Sequence, residues 1–208
     1  MHLIIRLTSI LLIAILFYLA LSWHDAKSIV AIANDVIEVT PNSATPLNPA
    51  ERVIAFSEFE NSWSRSGFPC PTLKLYWKVL FKSKVQANGA PVSYHIIQHI
   101  IRDFPPNRSA HTIVRDLFAA CQIERRYESS ILLRYWLSKA YFGKGEFGLE
   151  VAAASLFNKR VDALDVDEAA KIAVLLRLPQ LRDKPHRWTQ RSYYISEQYL
   201  ARGSDLEF

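Results

Sequence analysis

Gly143-Lys144-Gly145-Glu146-Phe147-Gly148 satisfies the G-x-G-x-x-G pattern of a dinucleotide-binding loop, whose chemistry would be cradling a pyrophosphate on backbone N–H groups. That chemistry needs a strand before the glycines, a βαβ unit around them and an acid further on to hold a ribose. Here a helical segment precedes and only helical patterns follow, so the glycines are read as a turn that lets two buried helices approach closely. Acids are the next candidates. Asp116 and Glu124 interrupt the otherwise apolar middle of a segment in which Ile113, Leu117, Ala120 or Cys121, and Glu124 recur at helical spacing. Asp116 either serves a reaction or satisfies a buried polar spot by pairing with Arg115, Lys139 or Arg134. Arg102, Arg108 and Arg115 bring positive charge suited to phosphate. Tyr94, His95 and His99 read as core or groove residues, and the Tyr135-Trp136 and Tyr193-Tyr194 pairs as packing.

These residues are carried by a chain that reads as helical almost throughout. Asn48, Pro49 and Glu51 form a helix start, with a capping side chain, a proline where no N–H is needed and an acid in the first turn; that helix carries Glu58. Thr72 to Phe81 and Val92 to Ile101 follow, on either side of a turn at Asn88-Gly89. Ser109 to Tyr127 is a long helix. Ser130 to Phe142 is apolar on nearly all sides and is expected to run until Gly143 stops it. Leu149 to Phe157 is another helix, and Asp165 with Glu168 starts one that Pro179 ends. The fold class is therefore all-α, with at most a minor hairpin near the N-terminal boundary.

From Leu7 to Trp23 the chain is apolar apart from Thr8, Ser9 and Ser22, a run of roughly 17 residues at the short end of what spans a bilayer. Arg6 before it, on the cytoplasmic side, would put the remainder outside. Small residues at Ala20 and Ser22 also fit a cleaved signal peptide. The expected organisation is a membrane anchor or signal segment over 1–24, a tether over 25–48 with a strand-like Val36-Ile37-Glu38-Val39, and one helical domain over 49–208. Of 208 residues half are hydrophobic, and the net charge of +5 suits an anionic partner. At a membrane surface that partner is lipid phosphate rather than nucleic acid. Cys70 and Cys121 are either a disulfide or two separate buried thiols.

With its neighbours included, the glycine segment becomes Tyr141-Phe142-Gly143-x-Gly145-x-Phe147-Gly148-x-x-x-Ala152-Ala153-Ala154-x-x-Phe157-x-Lys159, which resembles glycosyltransferase family 51, the peptidoglycan glycosyltransferases. The likeness continues through Leu164, Glu168-Ala169-Ala170, Ala173, Leu175-Leu176 and Leu178-Pro179 into Arg191-Ser192-Tyr193-Tyr194, and upstream takes in Arg108-Ser109 and Ile123-Glu124-Arg125-Arg126. It implies a lysozyme-like helical domain, preceded by one transmembrane helix, that joins lipid-linked disaccharide-peptide units into glycan strands at the outer face of the inner membrane. It also implies a carboxylate base for the acceptor 4-hydroxyl, and cations with a second carboxylate at the departing pyrophosphate. A divalent cation there is the implied cofactor, with no residue assigned as its ligand; other cell-wall synthases are the implied partners.

Carried over by position, the first catalytic acid falls on Glu58, nine positions before Gly67, with Glu60 as a rival. The aspartate beside it is replaced by Phe59, and the aromatic and histidine that follow by Ser62 and Arg65. The second acid falls on Asp116, eight positions before Glu124. The donor-binding run retains Ser93, with His95 and Gln98 at the glutamine and lysine positions, and Arg108 and Arg115 are the remaining candidate contacts. The Arg-Lys pair before the second acid is replaced by Thr112 and Ile113, and the later acid and amide by Arg134 and Ser138. Two readings follow: a divergent glycosyltransferase, or a catalytically impaired relative that holds the precursor or a synthase. Glycan cleavage, which also needs a carboxylic acid in a cleft, is a third.

Overall fold

The computed structural model describes residues 2–37, 46–59, 92–101 and 110–202. Glu60, Ser62, Arg65, Cys70, Arg102, Arg108, the 72–81 segment and the Asn88-Gly89 turn lie outside them. Eight α-helices are described: α1 (His2–Ile37), α2 (Pro49–Phe59), α3 (Val92–Ile101), α4 (Ala110–Arg126), α5 (Ser129–Lys139), α6 (Leu149–Phe157), α7 (Val166–Arg177) and α8 (Pro185–Arg202). Among the described residues the only β-pairing is an isolated bridge between Tyr141 and Phe147. The all-α expectation holds.

α1 differs from its expectation in length. Its 36 residues, about 54 Å at 1.5 Å per residue, run on through Ile37, so residues read as a tether are helix. The reason is burial. Ala26, Ile29, Val30, Ala33 and Ile37 recur at helical spacing and are buried, and α1 packs chiefly on α4. The preceding stretch instead exposes Ile10, Leu11, Leu12, Ile13, Leu16 and Phe17. The helix is long and apolar enough to cross a membrane.

The two predicted helix starts form as written. Asn48 Oδ1 accepts from Glu51 N at 2.8 Å while Glu51 Oε2 accepts from Asn48 N at 2.9 Å, a reciprocal cap for α2. Asp165 and Glu168 make the same box at α7. Arg134 then reaches from α5 to Glu51 at 2.8 Å and to Pro46 O at 2.8 Å. Arg134 thus ties the two helices together.

α5 ends at Lys139, four positions before Gly143. Ala140 is already extended (φ −65°, ψ 145°), and Gly148 N donates to Ala140 O at 2.9 Å while Phe142 N donates to Glu146 O at 3.0 Å. The glycine segment closes on itself as a short turn, as expected of it. A Cβ on Gly143 (φ +93°) would come within 2.9 Å of Pro179 O, so the close approach is to the backbone of the segment after α7 rather than between two buried helices. Arg182 pins the turn from the 3-10 segment Pro179–Asp183, donating to Glu146 Oε2 at 2.7 Å and Gly143 O at 3.3 Å.

α8 was not foreseen as an element, although Pro185 at its start and the Trp188, Ser192, Ile195 and Tyr199 spacing mark it. It lies on α7 and α2, with Ser192 and Ser196 buried and Phe56 meeting Tyr199 edge-on at 5.6 Å. Cys121 is disulfide-bonded, and Cys70 is the only other cysteine in the chain.

Candidate active site

Glu58 sits in the last turn of α2, buried. Arg177, at the C-terminal end of α7, donates from Nε to Glu58 Oε1 at 2.8 Å and from a terminal nitrogen to Ser57 O at 3.1 Å. Loss of solvent raises the Glu58 pKa above the usual carboxylate value, and the Arg177 charge and hydrogen bond pull it back only in part. Arg177 was not singled out from sequence. A basic residue in the last turn of a helix is what the helix dipole alone favours, so nothing in its spacing marks it.

Asp116 is buried on α4 and is also poised. Arg115 holds its Oδ1 through Nε at 3.1 Å and a terminal nitrogen at 2.9 Å, so of the three partners considered the neighbour in sequence wins. Burial raises the Asp116 pKa, opposed by hydrogen bonds from Arg115 and Gln98 and by the Arg115 charge. Gln98, a candidate contact in the sequence, therefore touches Asp116.

α3 lies beside Asp116 and within electrostatic reach of Arg177, the partner of Glu58. His95 and Gln98 are one turn apart on that helix and share a face. Gln98 bonds Asp116, while the Arg177 charge that engages Glu58 also acts on His95. Burial first, and Arg177 second, push the His95 pKa down, favouring the neutral ring. The ring stacks on Trp136 at 5.3 Å. Ser93 is almost wholly buried, with its hydroxyl donating to Glu124.

Glu58 and Arg177 line one end of an open cavity of about 950 Å³ bounded by α2, α7 and α8; Asp116 is not among its lining residues. Tyr193 and Tyr194, read as packing residues, are instead 63% and 64% exposed on its rim. Two consecutive residues on a helix point about 100° apart, and the buried face of α8 is taken by Ser192 and Ser196. Tyr135 does pack, buried on α5.

The level of Asp116 along α1 follows from two contacts. Trp23 meets Phe118 edge-on at 5.4 Å, and the Tyr127 hydroxyl donates to Asn34 at 2.9 Å, so α1 and α4 run parallel. Asp116, about 3 Å before Phe118 along the axis, is level with the end of the exposed apolar stretch of α1. Among the described residues no group of three or more His, Cys, Asp or Glu side chains is placed to hold a metal ion.

The transglycosylase family model matches residues 71–199. Penicillin-binding protein 1A of Aquifex aeolicus is 30% identical over 123 residues, covering 58% of this chain and 17% of the relative. Penicillin-binding protein 1A of Pseudomonas aeruginosa is 26% identical over 129 residues, covering 61% and 16%. The biosynthetic peptidoglycan transglycosylase of Shewanella denitrificans is 40% identical over 70 residues, covering 34% and 30%. The chain thus spans less than a third of the length of each of these relatives.

Proposed function

The chain belongs to the transglycosylase family, and from that premise we propose that it is a peptidoglycan glycosyltransferase, extending glycan strands from a lipid-linked disaccharide-peptide precursor. What supports this most is the pair of buried carboxylates, Glu58 and Asp116, each engaged by an arginine.

Glu58 is the base. Its desolvated carboxylate, with Oε1 held by Arg177, takes the proton of the acceptor 4-hydroxyl on Oε2 as that oxygen bonds to C1 of the donor. The bond from C1 to the pyrophosphate breaks, and the electron pair leaves with the phosphate oxygen. Asp116 and Arg115 receive that end of the substrate, Arg115 by charge-assisted hydrogen bonds. A divalent cation would fit here as Mg²⁺ commonly binds, with one protein carboxylate, Asp116, and the rest of its oxygens from phosphate and water. It would supply charge neutralisation for the leaving pyrophosphate. α1 crosses the cytoplasmic membrane with Arg6 inside, which sets Asp116 at the outer surface where a lipid pyrophosphate lies.

The test is polymerisation of purified lipid-linked precursor. The intact protein yields glycan polymer and Glu58→Gln lowers the rate by ~100-fold or more, in the range of a lost general base. An intact protein that binds precursor and makes no polymer would return the chain to a precursor-holding role.

A further inference from the structure

We propose that α1 is a depth gauge: a short membrane span continuous with a rigid helix of the body, which sets the level of Asp116 against the lipid headgroups and makes the reaction depend on bilayer thickness. This rests on α1 crossing the membrane; the proposed function supplies only the reaction that reads it out.

The span is short. From Leu7 to Trp23 the apolar run is roughly 17 residues, about 25 Å of helix, against roughly 30 Å of hydrocarbon in a typical bilayer. Charge bounds it in the sequence, with Arg6 before it and Asp25 and Lys27 after it, so it cannot slide along the membrane normal without burying an ion. Within it Ile10, Leu11, Ile13, Phe17 and Leu21 are exposed, as a lipid-facing stretch requires.

The connection to the body is stiff. α1 runs from His2 to Ile37 with neither glycine nor proline in it, so the usual causes of a kink are missing. Where it leaves the span it is fixed to α4 twice, by the Trp23 and Phe118 rings meeting edge-on at 5.4 Å and by the Tyr127 hydroxyl donating to Asn34 at 2.9 Å. Between these contacts Ala26, Ile29, Val30 and Ala33 are buried in the same cluster as Ile96 and Ile123. Span and α4 therefore move as one. Asp116, within about 3 Å of the Trp23 level, takes its depth from the span.

A span longer than the bilayer compensates by tilting, but a short one is left with local thinning of the lipid or inward displacement of whatever is attached to it. In a thick bilayer the Trp23 level is drawn inward. The Arg115 and Asp116 pair is then carried from water toward hydrocarbon, at the cost of desolvating both charges. A flexible tether would absorb this displacement, and a continuous helix does not.

The experiment uses the full chain in vesicles of dimyristoleoyl, dioleoyl or dierucoyl phosphatidylcholine, in order of rising thickness, with purified lipid-linked precursor. The intact protein is expected to polymerise fastest in the thinnest and at least ~5-fold more slowly in the thickest. Inserting three leucines between Ile13 and Ala14 lengthens the span by about 4.5 Å without touching the body, and is expected to move the optimum to a thicker bilayer. A second measurement needs no turnover. Quenching of Trp23 by chain-brominated lipid, taken as the difference between the intact protein and Trp23→Phe, is expected to rise with thickness, and to rise less in the lengthened variant. Polymerisation rates independent of thickness, or one shared profile for the two spans, overturn the proposal. So does quenching that stays constant. Quenching that rises as expected in a protein that makes no polymer leaves the gauge standing and removes the catalytic reading alone.

Discussion

Glu58 is held between two opposed influences. Burial favours its neutral form, and Arg177 favours the carboxylate; burial wins, so the group is more basic than a surface glutamate. Burying it ionised costs stability, a cost that sets in as pH rises through its folded-state pKa. With Glu58 as the proposed base, the same balance is expected to set the pH dependence of the reaction. A base must be ionised to accept a proton, so activity falls as pH drops through the Glu58 pKa. Arg177→Gln removes the lowering influence and is expected to move the acidic limb of the kcat/KM profile to higher pH, whereas Arg177→Lys, which keeps the charge, moves it less. Precursor polymerisation measured across pH checks this. A limb that stays in place in Arg177→Gln would show that Arg177 does not govern the base.

Between elements, Arg134 carries a contact the family pattern does not foreshadow. It joins α5 to the capped N-terminus of α2 through Glu51, and the two side chains are only 13% and 8% accessible. Removing one partner of a buried pair strands the other charge. Arg134→Ala is expected to cost ~3 kcal/mol in equilibrium unfolding. Glu51→Gln keeps the capping oxygen and removes the charge, so the double variant should lose less than the sum of the two single changes. Additive losses would mean that the pair contributes no coupling.

For the whole molecule, α1 has two jobs divided near Trp23. The N-terminal part is exposed and apolar, while Ala26 to Ile37 belongs to the same buried cluster as Ile96, Ile123 and Leu133. Removing residues 2–21 is expected to leave a folded protein that no longer requires detergent, and removing 2–37 to expose the α4 face and cause aggregation. Size-exclusion chromatography with circular dichroism distinguishes the outcomes. A folded monomer from the longer truncation would mean that the second half of α1 is dispensable.

The sequence by itself determined what depends on neighbours along the chain. Capping at Asn48 and Asp165 was legible because cap and N3 partner are three residues apart, and the all-α class because apolar periodicity is local. Glu58 and Asp116 were named through the family resemblance, and both are buried with an arginine on the carboxylate. Tertiary structure decided which distant charge meets which acid: Arg177 reaches Glu58 across 119 residues, and Arg134 reaches Glu51 across 83. It also decided that Tyr193 and Tyr194 face water and that helix replaces tether up to Ile37. Those outcomes depend on which faces the packed helices leave open, and no window along the chain contains that information.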